Sequence, residues 1–353
     1  MSIIAGPSAD VVVSALRDSG RERFAIFEQG LNAKSEEIVS RVRTIVEKCE
    51  TDHLLIQCEP ARPLMAYAFL FLDELANVSQ LTSAAFAIDA AILLDSLLNR
   101  KATSLSASFI AEQMEFADDI FLNGADDPDF ELARSISTAL NPRARVSPLA
   151  EVGSVAAWID RRATPFNFED AINGAGWRKL LDQEYSGSSD RVTTFGYRAR
   201  RPFHPERFAT LLQNGLRGVF RAKGFFWLAT RMDEVGGLNL AGSELQCSSA
   251  GHWWATRDAQ TRESEMPART RNEWQEPFGD RRQSFAVMAM NVSRDTLQTQ
   301  LDSCLLTDDE MAGGEQTWGA FTDPFPSSAH AHLHHHDHEC DHDHGSHEHD
   351  CCG

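Results

Sequence analysis

The sequence predicts an α/β protein: an N-terminal parallel sheet flanked by helices, then a smaller α+β domain with an antiparallel sheet, then a low-complexity tail. Three observations carry this. Short apolar runs alternate with segments of helical period through the first half. A polar stretch, Gln183 to Arg191, then interrupts the chain, and strand-like segments follow it. From Ser327 onward almost no residue could enter a core. The expected limits are 1–182 for the first domain, 183–192 for a linker, 193–326 for the second domain and 327–353 for the tail.

Arg23 to Phe27 reads as a short strand. Ser35 opens a helix as a plausible N-cap, and Ile38, Val42, Ile45 and Val46 recur at helical spacing. His53 to Cys58 is a nearly continuous apolar run ended by Glu59-Pro60, which suits a strand buried on both faces. Met65 to Leu75 reads as helix, Ala84 to Ala90 as buried strand and Phe109 to Asp118 as helix. Asp119 to Asn123 reads as strand, Phe130 to Leu140 as helix and Ala144 to Ser147 as a last short strand. Beyond the linker, Thr193 to Arg200 alternates like a half-exposed strand, and Pro205 to Leu212 has a helix start. Phe220 to Ala229 and Ser284 to Asn291 read as strands, with Phe225, Phe226 and Trp227 as core. His252 beside Trp253-Trp254 reads as packed and His204 as a turn residue at a helix start, while Cys58, Cys247 and Cys304 read as small apolar side chains, with Cys49 and Cys58 as an alternative vestigial ligand pair. Arg198, Arg200, Arg201 and Arg207 read either as a site for an anion or acidic partner or as solvated charges on one sheet face. All seven Trp lie at or after Trp158, so the two halves differ in the material of their cores.

The chain of 353 residues is 42% hydrophobic, enough for two cores. Its formal net charge is −19, from 33 Lys and Arg against 52 Asp and Glu. Such a surface repels nucleic acid and anionic lipid and attracts cations. Neither is expected as a partner. The N-terminus lacks a basic region followed by an apolar run, and no stretch of about 18 apolar residues occurs, so neither a signal peptide nor a membrane span is expected. The seven Cys are odd in number and form no disulfide framework, which points to a reducing cytoplasm.

The tail carries the strongest chemical signal. His330, His332, His334, His335, His336, His338, His342, His344, His347 and His349 are ten of the thirteen His, and Cys340, Cys351 and Cys352 lie among them. Imidazole nitrogen and thiolate sulfur suit zinc, with nickel, cobalt or copper as other ions of matching softness. The interleaved acids Asp337, Glu339, Asp341, Asp343, Glu348 and Asp350 favour approach of a dication and can orient imidazoles. The irregular spacing differs from a zinc finger and suits overlapping, exchangeable sites for loading, buffering or delivery.

Tyr197 to Arg207, Arg221 to Arg231, Ala250 to Trp254, Gly279 to Gln283, Leu305 to Asp308 and Asp323 to Pro326 together resemble the C-terminal domain of the CobW-like P-loop GTPases. The resemblance implies a role in metal insertion or zinc homeostasis, with a client metalloprotein or a paralogous GTPase as partner. The first half resembles the family's GTPase domain more weakly, through Phe109 to Asp118 and Asn141 to Arg145. The first domain would then be a degenerate P-loop GTPase-like unit. No GxxxxGK[ST] occurs, and Ile4 to Asp10 offers neither a second Gly nor a Lys to phosphate. The family's Cys-x-Cys-Cys is missing near Gly30 to Lys34. The acidic strand end after Leu54-Leu55-Ile56 is Gln57-Cys58. The guanine-reading Asn-Lys-x-Asp stands as Asn123-Gly124-Ala125-Asp126, a vestigial site in which Asn123 and Asp126 remain. The expectation is a non-catalytic zinc carrier with no catalytic residues, in which GTP is not expected as a working cofactor. The alternatives are a divergent GTPase that couples hydrolysis to metal delivery, and an adaptor that regulates an intact GTPase.

Overall fold

The computed structural model describes residues 1–18, 24–28, 34–48, 53–59, 62–149, 157–158, 165–182 and 191–326. Eleven strands are described, in two sheets.

The first sheet has the order β2-β3-β1-β4-β5-β6, all parallel. Its strands are β1 (Ser2–Ala5), β2 (Phe24–Glu28), β3 (His53–Gln57), β4 (Ser83–Asp89), β5 (Asp119–Asn123) and β6 (Arg145–Pro148). Parallel strands need crossovers, and each crossover here carries at least one helix. These helices cover both faces, so β4, in the middle, is buried from Ser83 to Ile88. The apolar runs in the sequence are therefore the inner strands. The expected helices form over Ser35–Lys48, Leu64–Asp73, Ala107–Phe116 and Phe130–Leu140. Four more described helices, Ala9–Asp18, Ala90–Leu97, Phe168–Asn173 and Gly176–Leu181, are additions to the expected set.

The second sheet is antiparallel, in the order β10-β9-β8-β11-β7. Its strands are β7 (Val192–Ala199), β8 (Val219–Phe226), β9 (Glu234–Ala241), β10 (Glu244–His252) and β11 (Gln283–Met290). One face packs under helices Pro205–Asn214 and Arg294–Asp302 around Phe203, Phe208, Phe226 and Phe285. The other face supplies Val192, Phe220, Ala241, Ala286 and Met288 to the core of the first domain. A single apolar core thus crosses the domain boundary.

Polar groups pin that boundary. Arg221, wholly buried on β8, forms a bidentate pair with Glu115 (Nε–Oε1 2.6 Å, Nη2–Oε2 3.1 Å). Glu244 accepts from the backbone N–H groups of Ala107 (2.7 Å) and Ser108 (3.1 Å), so β10 satisfies the free end of a helix in the other domain. Two details differ from the sequence reading. Phe225 is 40% exposed, because alternation along β8 turns it away from the core that holds Phe226. His252 is exposed at the end of an edge strand instead of packed.

Candidate functional site

In open parallel sheets, ligands bind beyond the carboxyl ends of the strands where strand order reverses. That switch point here lies at β1, between β3 and β4. A phosphate cradle would need a long connection after β1, about eight residues in the P-loop pattern. The observed connection is Gly6-Pro7-Ser8, three residues between Ala5 and the helix starting at Ala9. It is folded against β4. The Ser8 N–H donates to the Ala87 carbonyl (3.1 Å), Ala9 N–H to Gly6 O (3.1 Å) and Val11 N–H to Ser8 O (3.2 Å). Pro7 has no N–H to offer. The N–H groups of Ser8, Ala9 and Val11 are thus already used by Ala87 and by the loop's own carbonyls.

Gly6 makes the close contact possible. Its φ is +109°, and a Cβ there would stand 2.1 Å from the Ala87 carbonyl oxygen. Asp10, in the first helical turn, puts a carboxylate at the same end, where it accepts from the Gln57 amide on β3. Cys58, just past β3, is buried, and burial pushes its thiol well above the usual range. It behaves as a small apolar side chain, as the sequence suggested.

At the expected guanine corner, Asn123 is engaged by another side chain of the protein. Asn123, at the end of β5, donates through Nδ2 to Asp89 at the end of β4 (3.3 Å). The other Asp89 oxygen caps the helix Ala90–Leu97 by accepting from Ala91 N–H (2.9 Å). Asp126 is exposed in the following loop. Asp89 was not singled out from the sequence. Its position immediately before an apolar helical run is an N-cap signal that was available there.

The metal ligands proposed from the sequence, His330, His332, His334, His335, His336, His338, Cys340, His342, His344, His347, His349, Cys351 and Cys352, all lie outside the described residues, as does Cys49. Among the described residues no group of three or more His, Cys, Asp or Glu is placed to hold a metal. The last described residues, up to Pro326, are held to the second domain. Arg231 donates to both Asp323 oxygens (2.8 and 3.2 Å) and to the carbonyls of Phe325 (2.6 Å) and Pro326 (2.9 Å). Thr230 adds an Oγ1–H bond to Asp323 (2.6 Å). Charge-assisted bonds of this kind are about twice as strong as neutral ones. No local pattern announces a pairing across some 90 residues, so sequence reading did not find this clamp.

Other singled-out residues have structural partners. Arg207 forms a two-bond pair with Glu310 (2.8 and 2.7 Å), and that bond pulls the Glu310 carboxyl down to about 2. Arg201 pairs with Asp308 (2.6 Å). Arg198 and Arg200 bond to backbone carbonyls of Leu181, Glu273 and Gly279. The arginine cluster therefore holds loops together. His204 begins the helix Pro205–Asn214 and stacks on Phe321 at 4.4 Å, in keeping with a turn residue. Burial, then Arg207, lowers its pKa. Cys304 is buried, whereas Cys247 is half-buried at the edge of the second core.

Residues 192–305 match the family described as cobalamin synthesis protein cobW C-terminal domain. Over 226 residues the chain is 32% identical to zinc-regulated GTPase metalloprotein activator 1 of Dictyostelium discoideum, covering 61% of this chain and 47% of that protein. Over 137 residues it is 38% identical to zinc chaperone Rv0106 of Mycobacterium tuberculosis, covering 38% of this chain and 34% of that one. The chain thus spans about half the length of the first relative and a third of the second. Among solved structures, the Zn(II)-bound YjiA GTPase from E. coli superposes with a TM-score of 0.34 at 12% identity, covering 86% of this chain and 98% of that one. No described helix is long and apolar enough to cross a membrane. The family match falls on the second domain, over residues 192–305.

Proposed function

We propose that this chain is a zinc-binding, metallochaperone-like protein whose first domain works as a scaffold and runs no GTPase cycle of its own. The observation that carries the second half of this reading is the three-residue connection after β1, with its N–H groups bonded to Ala87 and within the loop. A triphosphate would need those donors, a Lys and a Mg²⁺-binding hydroxyl. Asn123 bonded to Asp89 supports the same reading at the guanine end. The donor set of the tail supports the first half. His330, His332, His334, His335, His336, His338, His342, His344, His347 and His349, with Cys340, Cys351 and Cys352, offer many four-ligand combinations. Two relatives whose names carry zinc point to that ion over nickel, cobalt or copper.

The domain limits expected from the sequence would divide the work: scaffold to 182, client or partner binding over 193–326, and metal cargo over 327–353. The partner would be a client metalloprotein or an intact GTPase of the same family. Free Cys58, Cys247 and Cys304 suit a reducing cytoplasm.

Competitive zinc titration against a chromophoric chelator tests the carrier reading, using the full chain and a chain stopped at Ser328. Uptake of several zinc ions by the first and none by the second is expected. Tight binding of one zinc by the stopped chain would move the site into the folded domains. Titration with a fluorescent GTP analogue and Mg²⁺ tests the scaffold reading, and micromolar binding would overturn it in favour of a divergent GTPase.

A further inference from the structure

The residues that Arg231 holds form one side of an apolar groove. Phe325 and Pro326 make this wall, with Phe226 and Leu228 opposite and Gly236 and Cys247 in the floor. The bonds from Arg231 to Asp323, Phe325 and Pro326 keep the wall in place in the free chain. At Gly236 a Cβ would stand 2.3 Å from the Phe226 ring, so the glycine lets that ring lie against β9. Through Cys247 and Ser249 the groove reaches β10, the outer strand of its sheet, and the outer edge of β10 pairs with no other described strand.

Exposed sheet edges are usually short, or blunted by Lys or Pro, because unpaired N–H and C=O groups recruit another strand. β10 runs for nine residues without a Lys or Pro. Its one acid, Glu244, is engaged by the helix Ala107–Phe116. The two-residue turn Gly242-Ser243 sets the direction of the other groups. Ala241 and Glu244 face each other across it, and the Gly242 N–H donates to the Phe220 carbonyl on β8 (3.0 Å). The alternation that follows points the backbone groups of Leu245, Cys247 and Ser249 outward. The side chains of those same residues stand beside Leu240, Leu238 and Gly236, on the face of the second core. Leu245 is 38% exposed there.

We propose that the outer edge of β10 and this groove form the docking site for an extended, basic segment of a partner protein, added to the sheet as a further strand. The main chain of such a segment bonds to the outward groups of Leu245 and Cys247. Its residue opposite Cys247 places a side chain on the groove face, where Phe226, Leu228 and Phe325 suit an aliphatic group such as Val or Leu. The residues on either side of that one point to the other face. There the net charge of −19 on this chain favours Lys or Arg over Asp or Glu. The same charge disfavours a second copy, which would bring another −19 to the edge. The inference rests on the reading of the second domain as the partner-binding unit and is independent of zinc and of nucleotide.

Fluorescence anisotropy of the labelled peptide Lys-Val-Lys-Leu-Lys-Val-Lys, titrated with the full chain at physiological salt, tests this. The control peptide Lys-Val-Lys-Pro-Lys-Val-Lys carries the same charge, but its central Pro cannot pair in a ladder. The first peptide should bind roughly tenfold more tightly than the control. Cys247→Pro removes an outward N–H without changing the charge, at an edge position where Pro is tolerated. Leu245→Lys blunts the edge at an exposed residue, as natural sheets do. Each variant should bind the first peptide roughly tenfold more weakly than the parent. In the parent, saturating peptide should slow exchange of the Leu245 and Cys247 amides roughly tenfold. Equal affinity for the two peptides would overturn strand pairing in favour of charge attraction alone. Tight binding unchanged in both variants would overturn the edge as the site and leave partner binding by the second domain standing. No binding to the parent would overturn the docking and remove its support from the partner reading. Protection of these amides that grows with protein concentration, without peptide, would overturn it in favour of a second copy.

Discussion

Replacing Arg221 with Leu should be among the most damaging single changes in the molecule. Arg221 is buried on β8, and its partner Glu115 is 6% exposed. The substitution leaves the Glu115 carboxylate unpaired inside the joint core and removes donors from Asn239 Oδ1 and the Leu240 carbonyl. Breaking a buried pair from one side costs about 3–5 kcal/mol, because the remaining charge has lost both water and partner. A melting temperature lower by roughly 5–7 °C follows for a folded unit of this size. Because the first core takes side chains from both sheets, parent and variant should each melt in one transition. The double variant E115L/R221L removes both charges and should recover roughly 2 kcal/mol of the loss. Recovery stays incomplete, since Asn239 and Leu240 still lack their donor. Urea denaturation followed by tryptophan fluorescence measures all three chains. A single-variant loss below about 1 kcal/mol, the range of exposed pairs, would refute the claim that this ion pair is desolvated and joins the domains.

Asn141→Ala should destabilise by about 1–3 kcal/mol in the same assay. Its buried Nδ2 serves the carbonyls of Met114, Glu115 and Ala117, which a methyl group would strand. Gly6→Ala should cost about 1–3 kcal/mol or more, since the side chain meets both a left-handed φ and the Ala87 carbonyl. A melting temperature equal to the parent's would mean the loop after β1 does not hold its closed form. Glu310→Gln should flatten the acid side of the stability profile. The Arg207 bond lowers the folded pKa to about 2, below the unfolded value near 4.5. The unfolded chain then binds more protons in that window, so the stabilisation is present above about 4.5 and is lost as pH falls towards about 2. Identical acid transitions in parent and variant would remove Glu310 from the account.

Strands buried on both faces were legible because they leave continuous apolar runs; His53 to Cys58 and Ala84 to Ala90 became β3 and β4. β9 and β10 were not legible. Glu234–Ala241 contains a Gly-Gly pair, and Glu244–His252 is polar and mostly exposed, so neither carries a strand's apolar signature. Their pairing comes from the turn between them and from Leu238 and Leu240 meeting the second core. His252 was misread for a related reason: two adjacent Trp suggested burial, but the chain turns Trp253 inward after the strand has ended.

By itself, the sequence determined which donor types the chain offers and the kind of layers it folds into. Both are set by residue type and local period: imidazoles and thiols crowded in the tail, apolar runs in the sheet, and no glycine-lysine loop after the first strand. Tertiary structure alone decided that the loop after β1 closes on Ala87, that Asn123 turns to Asp89, and that Arg221 and Arg231 reach Glu115 and Asp323. Each of these is a pairing of polar groups made by chain segments that the fold brings together. Such a pairing is favourable only once burial has removed the competing water, and burial is a property of the whole packed chain.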